Sequence, residues 1–533
     1  MATTDLTPLA DGTALGEPLE TIAGLIGGPR VDQLVTRAAQ RAPDRVAVRS
    51  ATVTVTYAEL EAQTDRAAAM LQGLVDGPGA VVAIAGLMDP EFASLFFGIS
   101  RAGAVSAVLN PFLPAERLAH ILATSGARVA VLSPEMYQRI ESVRGRVPQL
   151  ETVILTRRDA GLDDVPTLAE QLAAAPAAPD LSGVGDDPDA LACLQFTSGT
   201  TGSAKACQLS HRNLTVNAAQ TVYAQTVDEW SVVFNCLPTF HLMHLTLAVT
   251  AVATHVLWPG SDPVASIRAA DRLRATHYYS LPVRLMHLAA DPELSQLEAP
   301  ALRAIFSGGS SLPKPATVAL AQQFGVPVVQ GYGLAETSPS HHLGSPHRPK
   351  PGSSGQPVPG AETRIVDVDT GKPLPVGGKG EIQVRGPQLM LGYLGRTIGQ
   401  DTDEEGWFST GDVGTLDDEG FLFWIDRIKD TFKCDNWLVS PTEIERVLLR
   451  HPAVADCTVL GIPDALRGSV ACAVIVSRDP AVTVEDFAEF VNPKVPYYEE
   501  LARVVLVEAI ARSATGKVER RLLRDKVVAG ELG

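Results

Sequence analysis

The chain has 533 residues, is 45% hydrophobic and 20% charged, and carries a net charge of −17; that balance describes a globular protein and excludes a disordered one. It is too long for one ordinary core, so two or more domains are expected. The acidity argues against non-specific nucleic-acid binding and against an anionic membrane surface, and nearly all of it lies before Arg427, because 427–533 holds 15 basic and 16 acidic residues.

In chain order, the N-terminus carries four acids and no base before Arg30, which fits neither a secretory signal nor a transit peptide, so a cytoplasmic location is expected. Thr56-Tyr57-Ala58-Glu59 is a capping box opening a helix. AVVAIA (80–85) suits a buried strand, and Pro90 to Ala102 follows with Phe92, Leu95, Phe96 and Ile99 at helical spacing. AVSAVLN then reads as strand, RLAHILATSG as a helix closed by Gly126, and ARVAVLS as strand again. This alternation predicts an α/β domain whose parallel strands are covered by helices. The most apolar span, Leu245 to Thr254, meets His255 after ten residues and is too short to cross a bilayer. After about residue 350, PKPGSSGQPVPG and GKPLPVGGKG predict turns between short antiparallel strands. From Arg427 the texture changes again. Ser440-Pro441-Thr442-Glu443 combines an N-cap, a proline at the first helical position and a capping-box glutamate. The expected organisation is therefore a large domain over 1–426 and a small α+β domain over 427–533. The six cysteines (193, 207, 236, 434, 457 and 472) form no CxxC pair and sit in apolar runs, as reduced, buried thiols do.

Chemistry concentrates in five stretches. FTSGTTGSAKACQLSHRN (196–213) surrounds Gly199 and Gly202 with hydroxyls and then supplies Lys205. Small residues let backbone N–H groups approach an anion while the lysine adds charge, yet the Gly-Lys-Ser/Thr ending of a Walker A loop is missing. QGYGLAETSP (330–339) brings glycines, Tyr332 and Glu336 together; STGDVG (409–414) offers Asp412 in a tight turn; DRIKDTFKCDNWLVSPTEIE (426–445) clusters Arg427, Lys429 and Lys433; SATGKVERRLLR (513–524) places Lys517 after a glycine. Each alone is a weak signal, since a turn aspartate or a terminal lysine is usually structural or solvated.

Together, in this order and spacing, they resemble the adenylate-forming superfamily of acyl-CoA synthetases, peptide-synthetase adenylation domains and luciferases, from about Val31 to the C-terminus. The resemblance implies a large N-terminal domain, a small mobile C-terminal domain hinged near Lys429, and ATP, Mg²⁺, a carboxylic acid and CoA as the reacting partners. It implies that Thr197, Ser198, Gly199, Thr200, Thr201 and Gly202 with Lys205 cradle the departing phosphates, that Glu336 holds Mg²⁺, and that Asp412 accepts the ribose hydroxyls with Arg427 nearby. Gly308, Gly309, Ser310, Gln330, Gly331, Tyr332 and Gly333 would line adenine and acyl group, where missing side chains leave room, with Leu242, Met243 and Ser338 on the acid side. Lys517 matches the lysine that reaches the carboxylate and α-phosphate. His241 matches the histidine at the mouth of the acid pocket; on its residues alone it reads equally well as a core or rim histidine. Lys433 and Asn436 belong to the thioester half-reaction.

The sequence departs from the family pattern in places. The phosphate loop reads Ala204-Lys205-Ala206 where Pro-Lys-Gly is usual, Ala335 replaces a threonine, His244 replaces a glycine, and Asn436 with Trp437 stands where relatives have a glycine beside the pantetheine channel. Asparagine tolerates positive φ, so the backbone there can persist, either with the channel narrowed or with its neighbours shifted to accommodate the side chain. The expected activity is an AMP-forming ligation of an apolar acid to CoA by a monomer or homodimer. The alternatives are a stand-alone acid-adenylating enzyme that serves a separate acyl transferase, and an inactive acyl-nucleotide binding protein.

Overall fold

A computed structural model describes residues 17–86, 88–197, 204–435, 437–512 and 518–532. The chain forms two compact units, one of Met1–Glu362 with Val384–Phe408, the other of Thr363–Gln383 with Ser409–Gly533.

The first unit is built on two large sheets. The nine-stranded sheet has six parallel strands in the order Val328–Gly333, Ala304–Gly308, His277–Ser280, Val232–Asn235, Thr254–Leu257 and Val46–Arg49, with antiparallel strands at both margins. The seven-stranded sheet runs parallel through Leu191–Phe196, Val105–Val108, Val81–Ile84, Val129–Leu132 and Thr152–Leu155, and then antiparallel from Leu191–Phe196 to Ala206–Ser210 and Gly392–Tyr393. Val105–Val108 and Val129–Leu132 are buried at every residue, as strands covered on both faces must be. The predicted helices are present over Tyr57–Gln72, with both capping-box bonds made between Thr56 and Glu59, over Glu91–Arg101, and over Ala115–Ser125, which Gly126 closes at φ 69°. The apolar span at 245–254 lies in the buried helix Met243–Ala251 and the strand after it. Among the described residues no helix is long and apolar enough to cross a membrane. All six cysteines are free and buried.

The second unit joins a four-stranded sheet (Glu362–Val366, Gly380–Arg385, Phe408–Leu416, Leu422–Arg427) to a five-stranded one formed by 432–506, the α+β portion predicted at the C-terminus. The expected boundary at 426/427 therefore falls inside this unit. Side-chain bonds cross it: Lys379 pairs with Glu443, Lys433 pairs with Asp369, and buried Asp426 accepts from the Ser440 hydroxyl at 2.8 Å and the Thr442 N–H at 3.0 Å. The last pair corrects the capping assignment. Helix Pro441–Leu448 does begin with proline, but Ser440 makes no side-chain cap bond. Its hydroxyl is donated to Asp426, whose carboxylate also takes the Thr442 N–H of the first turn, while Glu443 turns to Lys379.

Candidate active site

The stretch expected to cradle phosphate links strand Leu191–Phe196 to its neighbour Ala206–Ser210. Its two ends are tied together: Thr197 N–H donates to the Lys205 carbonyl at 2.9 Å, and Lys205 N–H donates to the Thr197 hydroxyl at 3.3 Å. Ser198, Gly199, Thr200, Thr201 and Gly202 lie outside the described residues. Beyond the loop, Ser210 and Asn213 form a complete capping box for helix His211–Gln225, so the anchoring of the loop's exit is locally encoded.

Lys205 is exposed, and its ammonium stands 4.4 Å from the centre of the Tyr393 ring. The Tyr393 hydroxyl donates to Glu336 Oε1 at 2.6 Å. Glu336 sits in the short turn Ala335–Thr337, whose position is fixed by Met390 N–H donating to the Glu336 carbonyl at 2.8 Å. Burial, and then the Glu336 charge, raise the Tyr393 pKa well above the usual phenol range, so it stays a donor. The phosphate-loop lysine and the expected Mg²⁺ ligand thus meet through a tyrosine that sequence reasoning missed. The one local signal for it was a tyrosine between glycines in LGYLG (391–395).

Gly308 and Gly331 are register partners at the carboxyl ends of adjacent parallel strands, where α/β sheets bind ligands. A Cβ built on Gly308 would meet the Gly331 carbonyl oxygen at an ordinary contact distance of 3.8 Å, one on Gly309 (φ 88°) would enter open space, and Ser310 is exposed. Gln330 Oε1 accepts from Leu312 N–H at 2.6 Å and so pins the loop after these residues. Gly331 and Gly333 behave otherwise, against the expectation that they leave room for a ligand. A Cβ at Gly331 would lie 2.7 Å from Leu343, and one at Gly333 would lie 1.9 Å from the Pro339 carbonyl oxygen. At Gly333 the glycine is required by the chain's own backbone. Gly333→Ala should therefore destabilise the first unit by about 3 kcal/mol, the scale of a forced core displacement. Denaturant unfolding checks this: normal stability with nucleotide binding alone impaired would restore a ligand-facing role. Tyr332 lies 6.0 Å from the His342 ring, and the Ser338 hydroxyl donates to the Gln388 carbonyl at 2.9 Å.

His241 follows the strand Val232–Asn235 and its ring lies 4.3 Å from Phe240. It is solvent-exposed yet has protein around most of its ring, and this desolvation lowers its pKa below the ordinary histidine range. Leu242 is buried; Met243 is half-buried, its sulfur accepting from the Ser340 hydroxyl at 3.1 Å. His244 is buried edge-on against Tyr279 at 4.9 Å.

In the second unit Asp412 and Arg427 face each other on adjacent antiparallel strands. Asp412 is 4% exposed, and its carboxylate lies 3.5 Å from the Arg427 Nε. Lys429 is exposed in the turn Ile428–Asp430, and Lys433 is paired with Asp369. Asn436 and Lys517 lie outside the described residues. Trp437 is exposed but held: its ring stacks on Tyr498 at 5.1 Å and its indole N–H donates to the Tyr497 hydroxyl at 3.1 Å.

Residues 35–394 match the family described as AMP-binding enzyme, and 443–517 match the AMP-binding enzyme C-terminal domain. Among curated proteins, 4-coumarate–CoA ligase 2 of Oryza sativa subsp. japonica is 32% identical over 504 residues, covering 89% of this chain and 88% of that one. 4-Coumarate–CoA ligase 5 of the same organism is 32% identical over 520 residues, covering 94% and 95%. Among solved structures, the anthranilate CoA ligase AuaEII in complex with anthranoyl-AMP superposes with a TM-score of 0.84 at 25% identity, covering 96% of this chain and 99% of that one. ATP-bound MatB from Rhodopseudomonas palustris gives 0.83 at 26% identity, covering 94% and 99%. The shared fold is the large α/β unit with the smaller α+β domain after it. With its motifs in order and both family regions matched along its length, the chain belongs to the AMP-binding enzyme family, within the adenylate-forming superfamily.

Proposed function

We infer that this chain is an AMP-forming carboxylic acid:CoA ligase acting on an apolar, aromatic-sized acid. The observation that carries the reading is the junction of Lys205 and Glu336 at Tyr393, at the foot of the Ser/Thr/Gly loop. A cation and a carboxylate are there brought together beside Thr197, where the Ser/Thr/Gly stretch begins. Relatives named as coumarate and anthranilate ligases support an aryl acid, as do the apolar Leu242 and Met243 and the open space at Gly309.

In the first step an acid oxygen bonds to the α-phosphorus of ATP while the bond from that phosphorus to the bridging oxygen breaks, giving acyl-adenylate and pyrophosphate. Lys205 and the loop donors meet the charge that develops on the departing phosphates; loss of one preorganised donor of this kind is worth about 3 to 4 kcal/mol in the transition state. Glu336 fits a magnesium ligand, because that ion is usually held by one or two carboxylates together with substrate phosphates. When bound, the ion would neutralise phosphate charge. By the family resemblance Asp412 would hold the ribose hydroxyls with Arg427 beside it, and Lys517 would approach the acid's carboxylate. In the second step the CoA thiol adds to the acyl carbonyl, the thiol proton is lost and AMP leaves. For this step 427–533 is read as a mobile lid turning near Lys429. A cytoplasmic setting belongs to the same reading.

Acid-dependent exchange of pyrophosphate into ATP, run over a panel of aryl and aliphatic acids, tests the first step; acyl-CoA formation tests the second. Absence of exchange with every acid would leave only a nucleotide-binding protein. Asn436 favours a second reading, an enzyme that adenylates well and makes thioester slowly, because a side chain stands where relatives leave bare backbone. A misplacement of the thiol by 1 Å can slow reaction on the order of a hundredfold. Asn436→Gly should then speed thioester formation from supplied acyl-adenylate and barely change pyrophosphate exchange. A wild type that makes acyl-CoA as fast as it adenylates overturns that reading.

A further inference from the structure

Tyr393 is anchored from three directions. Its strand, Gly392–Tyr393, pairs with Ala206–Ser210 so that Tyr393 lies opposite Cys207, and Leu394 N–H donates to the Ala206 carbonyl at 2.8 Å. Its own N–H donates to Asp401 Oδ2 at 3.0 Å, and Asp401 is paired in turn with Arg396 at 2.6 Å. The side chain is 8% exposed. A ring so fixed has little freedom to lose, and both its ends are used. The face takes the Lys205 ammonium and the hydroxyl takes Glu336.

The two groups that it touches carry opposite charges, and opposite charges at close range attract strongly where water is partly excluded. A direct Lys205–Glu336 ion pair would satisfy both groups at once and leave neither for an incoming phosphate or cation. Tyr393 satisfies each without a charge of its own. The ring offers the ammonium a cation–π berth, weaker than a phosphate at a partly exposed site and therefore surrendered to one. The hydroxyl orients one carboxylate oxygen, Oε1.

We propose that Tyr393 is a positioning residue that keeps Lys205 and Glu336 apart and aimed, so that these two groups receive the Mg²⁺-bound β,γ-phosphates of ATP. The inference rests on the ligase reading, and it goes beyond that reading by giving a role to a residue outside the five motif stretches. It also makes a specific demand: Tyr393 matters for the outer phosphates and the ion, not for the nucleoside or α-phosphate.

The test is equilibrium binding by titration calorimetry, without acid, of ATP with Mg²⁺ and of AMP alone, to the wild type, Tyr393→Phe and Tyr393→Leu. Tyr393→Phe keeps the ring and its fit but frees Glu336 to swing toward Lys205. Its affinity for Mg²⁺-ATP is expected to fall about tenfold, the lower range for a hydrogen bond to a charged group, with AMP affinity within twofold. At fixed ATP its half-saturating Mg²⁺ concentration should rise, which a merely structural role would not bring about. Tyr393→Leu, which also removes the lysine's berth, should weaken Mg²⁺-ATP further; thermal melting of each variant shows whether it is folded. Unchanged Mg²⁺-ATP binding by Tyr393→Phe, or an equal fall for AMP and Mg²⁺-ATP, overturns the proposal. Failure of the wild type itself to bind Mg²⁺-ATP would instead overturn the ligase reading beneath it.

Discussion

Replacing Lys517 with alanine is expected to slow acyl-adenylate formation at least about a hundredfold, as for loss of one preorganised donor, and to leave thioester formation from supplied acyl-adenylate nearly unchanged. Two anions, the acid's carboxylate and the α-phosphate, must come together in the first step, and a cation between them lowers the repulsion most where charge is shared in the transition state. The second step begins from a neutral acyl carbonyl and a thiol and has no such requirement. The lysine also belongs to the portion of the chain read as a lid, so rotation would withdraw it. Pyrophosphate exchange reports the first half-reaction, and CoA-thioester release from purified adenylate reports the second. Equal loss in both would mean that a single arrangement of the protein serves both steps.

Acid should unfold the first unit at a pH where most globular proteins are still stable. Six histidines there, His211, His244, His255, His277, His341 and His342, are buried, and desolvation is the leading cause that lowers every one of their pKa values. His255 is brought down to about 3, and His277 and His341 to about 4. The folded unit therefore refuses protons that the unfolded chain accepts below about 6.5. Stability is whole above that value and falls as the pH drops from about 6.5 toward 4, by up to ~1.4 kcal/mol per pH unit for each such histidine. Three of them together remove about 6 kcal/mol by pH 5, comparable with the whole stability of many domains. Circular dichroism melts between pH 7.5 and 4.5 measure the slope. Among the described residues neither ring nitrogen of His255 has a partner, so His255→Leu should raise the melting temperature at pH 5.5 and flatten the slope by about one proton. An unchanged slope would place the acid sensitivity elsewhere.

The contrast between Thr56 and Ser440 shows how far the sequence could be read. Both head a capping-box pattern. Thr56 makes both bonds because its partner is three residues away on the same turn. Ser440 does not, because Asp426, brought alongside from the preceding sheet, is a charged acceptor and takes its hydroxyl. Local rules hold until a tertiary neighbour competes. The parallel strands were legible because buried runs of valine, alanine and isoleucine have few other uses. Lys205 and Glu336 were legible because motifs keep them in fixed company. Tyr393 was not, since its hydrogen-bond partner Glu336 is 57 residues away and only the strand pairing brings them together. Gly331 and Gly333 were legible as glycines in a motif, but the reason for them lies in Leu343 and Pro339, which approach only when the strand folds back.

The division of the chain into units has a consequence for the order in which the protein is made. The chain leaves the first unit after Glu362, returns for Val384–Phe408, and leaves again. Tyr393 rides on that return. While synthesis has reached only residue 362, Lys205 and Glu336 already exist without their separator, and Ala206–Ser210 has one margin unpaired, since Gly392–Tyr393 fills it in the finished sheet. An unpaired strand margin is a template for pairing with another chain, and domains assembled from distant segments complete such margins late during translation. The nascent first unit is thus most open to misassociation just before Tyr393 joins Lys205 and Glu336. A few dozen further residues close both at once.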